Sequence, residues 1–276
     1  MPFPELSLEL KEKFDRLQAN IRNLGSLLIA FSGGVDSTFL LAVAYEALGE
    51  KALAVTAADA SIPRRELEEA KTFCRERGIR HIVCTVNPMK ETGYRQNGPD
   101  RCYFCKRGVF MELGRLAEEN GIEHIAEGSN MDDLGDYRPG LRAAKELSIQ
   151  SPLREAALSK ADIRSLAKAM GLSTWNKPAS ACLASRLPYG EEISEEKLHR
   201  IEYAEQFLIE HGFLQERVRV HGNLARIEVS QENIAALAAE EMRHAICREF
   251  RRLGFTFVTL DLEGYRTGSM NATLTR

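Results

Sequence analysis

The sequence lacks a long hydrophobic run, a surplus of either charge and a dense set of cysteines, and each shortage removes a class of protein. Its longest apolar stretches, around Leu27 to Phe31 and Phe39 to Val43, fall well short of the ~18 apolar residues that a membrane-spanning helix requires. The net charge of -3 over 276 residues provides no global positive field to gather nucleic acid or an anionic membrane, which favours a small-molecule partner. Met1 to Leu6 contains no basic region followed by an apolar stretch, so no secretory signal is read there and the cytoplasm is the expected compartment. Six cysteines in a chain of this length are not needed as disulfide staples; reduced thiols are read as metal ligands, catalytic groups or core residues. With 44% apolar and 28% charged residues, the composition is that of a folded globular protein.

The apolar pattern is that of alternating strands and helices. Leu6, Leu10, Phe14, Leu17, Ile21 and Leu24 recur at spacings of three and four, which predicts an amphipathic helix. Short apolar runs at Leu27 to Phe31, Ala52 to Ala57, Ile79 to Val86 and His124 to Glu127 predict strands. Helical patterns separate them: from Asp36 through Leu48, Pro63 to Arg77, and about Cys105 to Asn120. Such alternation predicts an α/β fold with a doubly wound parallel sheet. Further helices are expected near Leu141 to Leu147, after Ser151-Pro152, and over Lys160 to Met170. After a Pro-rich irregular loop, Ser173 to Glu191, the pattern becomes a helix (Ser194 to His211), a hairpin turning at Gly222-Asn223, a helical stretch (Asn233 to Leu253) and a strand (Thr256 to Leu262). That order predicts a smaller C-terminal α+β domain with an antiparallel sheet. The expected division is 1–186 and 187–276.

The sharpest motif is Ser32-Gly33-Gly34-Val35-Asp36-Ser37, between the first strand and its helix. Glycines let backbone N–H groups turn toward an anion, the helix presents its N-terminus, and two hydroxyls add donors, so the loop suits phosphate or pyrophosphate. Asp36 fits such a site if Mg²⁺ bridges carboxylate and phosphates; as a plain turn, it would be a helix cap. A Walker A loop would need Lys, and a G-x-G-x-x-G dinucleotide loop is absent. The hexapeptide resembles the PP-loop of the ATP pyrophosphatase superfamily, which implies cleavage of ATP between its α and β phosphates and adenylation of a substrate oxygen. Glu127 to Asp133, including Gly128, resembles that superfamily's second nucleotide-side motif, at another strand's carboxyl end.

Cys102-Tyr103-Phe104-Cys105 is half of a zinc site, and no second pair completes it. Cys182 follows in Lys177-Pro178-Ala179-Ser180-Ala181-Cys182-Leu183-Ala184-Ser185-Arg186, where small neighbours leave the thiol accessible and Arg186 would stabilise a thiolate. Taken alone, a loop cysteine is more often inert. This loop, together with Asp261 to Asn271, closely resembles the LarE family over nearly the whole chain. The resemblance implies an ATP-dependent sulfur transferase that adenylates and sulfurates the carboxylates of pyridinium-3,5-biscarboxylic acid mononucleotide for the nickel-pincer cofactor of lactate racemase. It also implies one of two sulfur sources: a sacrificial Cys182 left as dehydroalanine, or a [4Fe-4S] cluster held by Cys102, Cys105 and Cys182. Cys102 and Cys105 would be idle in the first, which favours the second. Cys74, Cys84 and Cys247 are expected to pack in the core.

Arg217 and Arg219 alternate on one strand face, with Arg226 in the same hairpin and Arg266 near the end of the chain. With Ser185 and Arg186 they are candidates for the substrate's phosphate and carboxylates, because guanidinium grips such groups through paired hydrogen bonds. The plainer reading pairs the strand arginines with Glu216 and Glu228 as a solvated face. Expected partners are ATP, Mg²⁺ and a small substrate, with no membrane and no nucleic acid, and the resemblance implies a homo-oligomer. Two alternatives are a tRNA thiolase of the same superfamily, against which the acidic balance weighs, and a non-catalytic nucleotide sensor.

Overall fold

The computed structural model describes residues 6–135, 139–178 and 181–266. In chain order the elements are α1 (Leu8–Leu24), β1 (Leu27–Ala30), α2 (Val35–Leu48), β2 (Ala52–Ala58), α3 (Arg64–Glu76), β3 (His81–Thr85), α4 (Thr92–Arg95), α5 (Arg101–Glu119), β4 (Ile125–Ala126), α6 (Pro139–Glu146), α7 (Pro152–Glu155), α8 (Lys160–Ala169), α9 (Glu195–Glu210), β5 (Glu216–His221), β6 (Leu224–Val229), α10 (Ile234–Ala238), α11 (Glu240–Arg252) and β7 (Phe257–Leu260). Short 3-10 turns, among them Met131–Gly135 and Leu183–Arg186, link several of them. No helix among the described residues is long and apolar enough to cross a membrane. The described residues divide into two compact units: 6–59, 64–88, 100–135 and 139–178 in the first, and 60–63, 89–99 and 181–266 in the second.

The first unit is built on a parallel sheet of order β3-β2-β1-β4, with Leu27 beside Ala52 and Leu28 beside Ile125. Successive side chains of a strand point to opposite faces, and both faces are apolar here. Leu27 and Ile29 enter one core with residues of α1, α2 and α8, while Leu28, Leu53 and Val55 enter another with Phe110 and Leu113 of α5 and Ala143 and Ala144 of α6. A sheet covered on both sides explains why its strands read as continuous apolar runs rather than alternating ones. The first two βα turns and the end of β4 therefore lie at the carboxyl edge, where such sheets bind ligands.

Two boundaries matter for the chemistry. α5 starts at Arg101 rather than near Cys105, because the Asp100 carbonyl accepts the N–H groups of Tyr103 (2.9 Å) and Phe104 (3.4 Å) and closes the first turn there. Both cysteines of the C-x-x-C pair are thus helical. α8 opens with a capping box: the Ser159 hydroxyl accepts the Asp162 N–H, and the Asp162 carboxylate accepts the Ser159 N–H. This satisfies two otherwise orphaned donors.

The second unit carries a three-stranded sheet of order β5-β6-β7. β5 and β6 form the expected antiparallel hairpin, but β7 runs parallel to β6, with Leu224 beside Phe257 and Ile227 beside Leu260. The wholly antiparallel sheet expected from sequence is corrected to a mixed one. The physical reason is the connection: a helical segment between β6 and β7 returns the chain to its starting end, which is what a parallel pairing requires. That segment is itself broken, since Ala239 is extended (ψ 147°) between α10 and α11.

Candidate functional site

In the first unit, the chain leaves β1 at Phe31 and turns through Ser32, Gly33 and Gly34 into α2. Gly33 has φ +70°, in the left-handed region that side chains rarely occupy. A Cβ there would also meet the Cβ of Ala70 at 3.4 Å. The turn is tied by its serines. The Ser32 N–H donates to Ser37 Oγ (3.3 Å), the two hydroxyls lie 3.0 Å apart, and the Ser37 hydroxyl donates to the Gly34 carbonyl (3.2 Å). Gly34 is the N-cap of α2 and supplies no side-chain cap. The first N–H groups of the helix, from Val35, Asp36 and Ser37, are therefore presented without an intrahelical partner, as an anion site requires.

Gly128, just past β4, closes the other side of this turn. A Cβ on it would lie 3.0 Å from the Ser37 nitrogen and 3.3 Å from the Asp36 Cβ. Asp36 stands between three groups. Lys160 Nζ, at the start of α8, bonds Asp36 Oδ2; Asn130 Nδ2 reaches Asp36 Oδ1 at 3.4 Å. Burial raises the Asp36 pKa above the ordinary carboxylate value, with Lys160 and Asn130 pulling it down and Asp133 pushing it up. One carboxylate beside a phosphate-ready loop is the donor set Mg²⁺ takes with nucleotides. Sequence reasoning missed Lys160, since nothing local ties a residue of α8 to one of α2. Lys177 was also missed as a loop contact; its ammonium donates to the Gly33 carbonyl (3.0 Å) and pairs with Glu69 (2.7 Å).

The second motif is held internally. The Asn130 N–H donates to Asp133 (2.9 Å), the Asp132 N–H donates to Asn130 Oδ1 (2.9 Å), and Asp132 accepts the Lys160 N–H (2.9 Å). Buried Glu127 accepts from the Ser129 N–H (3.2 Å), the Ser151 hydroxyl (3.0 Å) and Lys106 Nζ (3.2 Å). Burial alone would raise its pKa, but Lys106 and these hydrogen bonds hold it below the ordinary value. Lys106 comes from α5, the helix of the C-x-x-C pair. Cys102 and Cys105 are half-buried there, and a separation of three places them on one helix face. The intervening Tyr103 is occupied with α6: its hydroxyl donates to Glu146 (2.7 Å) and Arg142 stacks over its ring at 3.9 Å. Of the other cysteines, Cys74 and Cys84 are in the two cores, and burial pushes the Cys74 thiol up to about 12. Cys247, on α11, is half-buried.

In the second unit, half-buried Cys182 is the N-cap of the Leu183–Arg186 turn. Ala179, Ser180 and residues 267–276, which carry part of the motifs quoted above, lie outside the described residues. Arg186 is buried and organises this loop. It donates to the carbonyls of Ala181 and Cys182 and to Ser185 Oγ (3.1 Å), and forms a paired contact with Glu205 of α9 at 2.9 Å through both carboxylate oxygens. Glu205 also accepts the Val218 N–H (2.9 Å), and Arg219 donates to the Ser185 carbonyl (3.1 Å). Ser185, Arg186 and Arg219 are thus brought together.

Across the hairpin, Arg219 faces Arg226 and Arg217 faces Glu228. Glu228, with a fully buried side chain, pairs with Arg219 (2.9 Å) and Arg226 (3.3 Å), and Arg226 also meets Asp261. The pairing with Glu228 agrees with the plainer sequence reading, but the face is buried rather than solvated: Arg217 and Arg219 are 7% and 5% exposed. Arg217 stacks over Tyr265 at 5.0 Å, while Arg266 sits on the surface with Glu263. Glu216 is 4% exposed. Its carboxyl is pushed up to about 8 by burial and by Glu205, against Arg217 and Arg186. Glu205 as the anchor of Arg186 was not anticipated. Among the described residues, no group of three or more His, Cys, Asp and Glu side chains is gathered as a metal site.

Comparison with known proteins finds relatives of this chain. The model described as queuosine biosynthesis protein QueC matches residues 26–97, which include the loop after β1. An uncharacterised protein of Synechocystis is 44% identical over 97% of this chain and 100% of its own length. The pyridinium-3,5-bisthiocarboxylic acid mononucleotide synthase of Lactiplantibacillus plantarum is 36% identical over 97% of this chain and 96% of that protein. An uncharacterised protein of Methanocaldococcus jannaschii is 32% identical over 95% of this chain and 96% of its own length.

Proposed function

We propose, from the premise that this chain belongs to the family of the pyridinium-3,5-bisthiocarboxylic acid mononucleotide synthase within the PP-loop ATP pyrophosphatase superfamily, that it is an ATP-dependent sulfur transferase. Its substrate in this reading is pyridinium-3,5-biscarboxylic acid mononucleotide, and its product carries thiocarboxylates. The observation that carries the reading is the loop of Ser32 to Ser37: a glycine turn at a strand's carboxyl end, uncapped helical N–H groups, and a carboxylate beside them.

Val35, Asp36 and Ser37 present their N–H groups, with the α2 dipole, to the nucleotide phosphates, and Ser32 and Ser37 add hydroxyl donors. Asp36 is the residue that would hold Mg²⁺, whose charge would neutralise the leaving pyrophosphate. A substrate carboxylate oxygen attacks the α phosphorus, the bond to the β,γ pyrophosphate breaks, and an acyl adenylate results. Gly128 keeps the loop closed against the second motif. Arg186, Arg217, Arg219, Arg226 and Arg266, with Ser185, are assigned to the substrate's phosphate and carboxylates; residues 187–276 would form the substrate-binding and oligomerisation domain.

For the sulfur we favour a [4Fe-4S] cluster held by Cys102, Cys105 and Cys182, which would supply an added sulfide to displace AMP. The shared helix face of Cys102 and Cys105 supports it. The second reading rests on Cys182 alone: its thiolate displaces AMP to give a thioester, and loss of the Cβ–S bond leaves dehydroalanine. Anaerobic purification with iron and sulfide analysis, joined to mass spectrometry of the peptide containing Cys182 after turnover, tests the choice. About four irons per chain with an intact Cys182 supports the cluster; no iron and dehydroalanine at 182 overturns it.

A further inference from the structure

The contact between Lys160 and Asp36 joins the first turns of two helices that are far apart in sequence. Each partner is fixed from behind. Lys160 is the first residue of α8, where the Ser159–Asp162 capping box sets the backbone and Asp132 accepts the Lys160 N–H at 2.9 Å. Asp36 is in the first turn of α2, packed under Gly128. The side chains of Lys160 and Asp36 are 31% and 22% exposed, so the ion pair is half-buried rather than part of the core.

This arrangement sets two cations in competition for one carboxylate. Asp36 Oδ2 is taken by the ammonium, and among the described residues Oδ1 has only the long 3.4 Å contact from Asn130. Mg²⁺ binds through oxygen ligands at short range and carries two charges, so it and an ammonium on the same oxygen repel each other. The ammonium is a compact charge on a flexible four-carbon stem, free to swing while its backbone stays fixed. The uncapped N–H groups of α2, where phosphates would sit, are on the residues flanking Asp36 itself.

Resting on the ATP reading above, we propose that Lys160 is a counter-ion switch. Its ammonium holds Asp36 in the nucleotide-free chain and moves onto the phosphates of the bound nucleotide, leaving Asp36 for the metal. Lys160 is then a phosphate ligand in the loaded protein and a stand-in for the metal in the empty one. The switch also keeps the metal from binding usefully before the nucleotide, because without phosphates the ammonium has no better anion to move to.

The prediction is a pair of effects of opposite sign, read as binding. With Lys160→Met, Mn²⁺ alone, followed by its paramagnetic resonance signal, binds more tightly than to the wild type, by about fivefold or more given the loss of one adjacent positive charge in a partly screened site. Mg-ATP, followed by titration calorimetry, binds more weakly, by about tenfold or more for a lost charge-assisted hydrogen bond. In Asp36→Asn/Lys160→Met the Mn²⁺ gain disappears, which assigns it to Asp36 rather than to Asp132 or Asp133. Lys160→Arg, which keeps the charge and the fold, retains weak Mn²⁺ binding as in the wild type and serves if the methionine variant is unstable. A purely structural role for Lys160 would weaken both ligands or neither, and either result overturns the switch. If the wild type itself binds no ATP, the functional reading fails; if it binds ATP and the variants leave both affinities unchanged, the switch alone fails.

Discussion

The two units arrange their hydrogen-bond donors in opposite ways. In the first, the donors are backbone: N–H groups at the start of α2, left without a side-chain cap by Gly34, with Asp36 and Lys160 as partly exposed charges beside them. In the second they are side chains: Arg186, Arg217 and Arg219, each below a tenth exposed and set against buried Glu205, Glu216 and Glu228. Buried guanidinium groups must be neutralised from within the fold, so the second unit carries its own carboxylates and its stability depends on them.

That contrast is broken first by removing a carboxylate. Glu228→Ala leaves Arg219 and Arg226 short of their shared partner and is expected to cost about 3–5 kcal/mol of stability, as for other buried pairs that lose one member. A shift of the urea midpoint at constant slope measures it; a loss within experimental error would mean that these arginines are effectively solvated.

A pH-dependent effect comes from Glu216, whose carboxyl is pushed up from 4.5 to about 8. The unfolded chain releases this proton near the ordinary value and the folded chain keeps it to higher pH. The group's stabilising contribution is therefore present in acid and is lost as pH rises through about 8. Glu216→Gln should remove this fall, making the variant the more stable of the two in alkaline solution and equal to wild type in acid. Parallel stability curves across pH would contradict the assignment.

In the first unit the expected losses are smaller and appear in binding. Gly128→Ala places a methyl group 3.0 Å from the Ser37 nitrogen and is expected to cost about 1–3 kcal/mol through overpacking, with a matching loss of ATP affinity by calorimetry. Unchanged affinity would detach the second motif from the nucleotide. Ser159→Ala, which removes the α8 cap, should cost about 1 kcal/mol in thermal or urea unfolding, the least of the four.

The same contrast explains what could be read from the sequence. The parallel sheet, its helices and the loop of Ser32 to Ser37 are local statements: apolar runs, glycines and hydroxyls within a few residues of one another. The contact of Lys160 with Asp36 and that of Glu205 with Arg186 join residues on separate elements, and no periodicity encodes them. The direction of β7 is not local either, because its pairing depends on where the connecting helices return the chain. The start of α5 at Arg101 rather than near Cys105 is set by the Asp100 carbonyl, a backbone acceptor that no side-chain pattern marks.

The most direct measurement of the central claim follows the nucleotide products when the chain is given Mg-ATP with and without pyridinium-3,5-biscarboxylic acid mononucleotide. Adenylation at the loop of Ser32 to Ser37 predicts AMP and pyrophosphate in equal amounts, formed only with the carboxylated substrate and lost in Asp36→Ala. Release of ADP and phosphate, or pyrophosphate formation that ignores the substrate or survives the loss of Asp36, would contradict it.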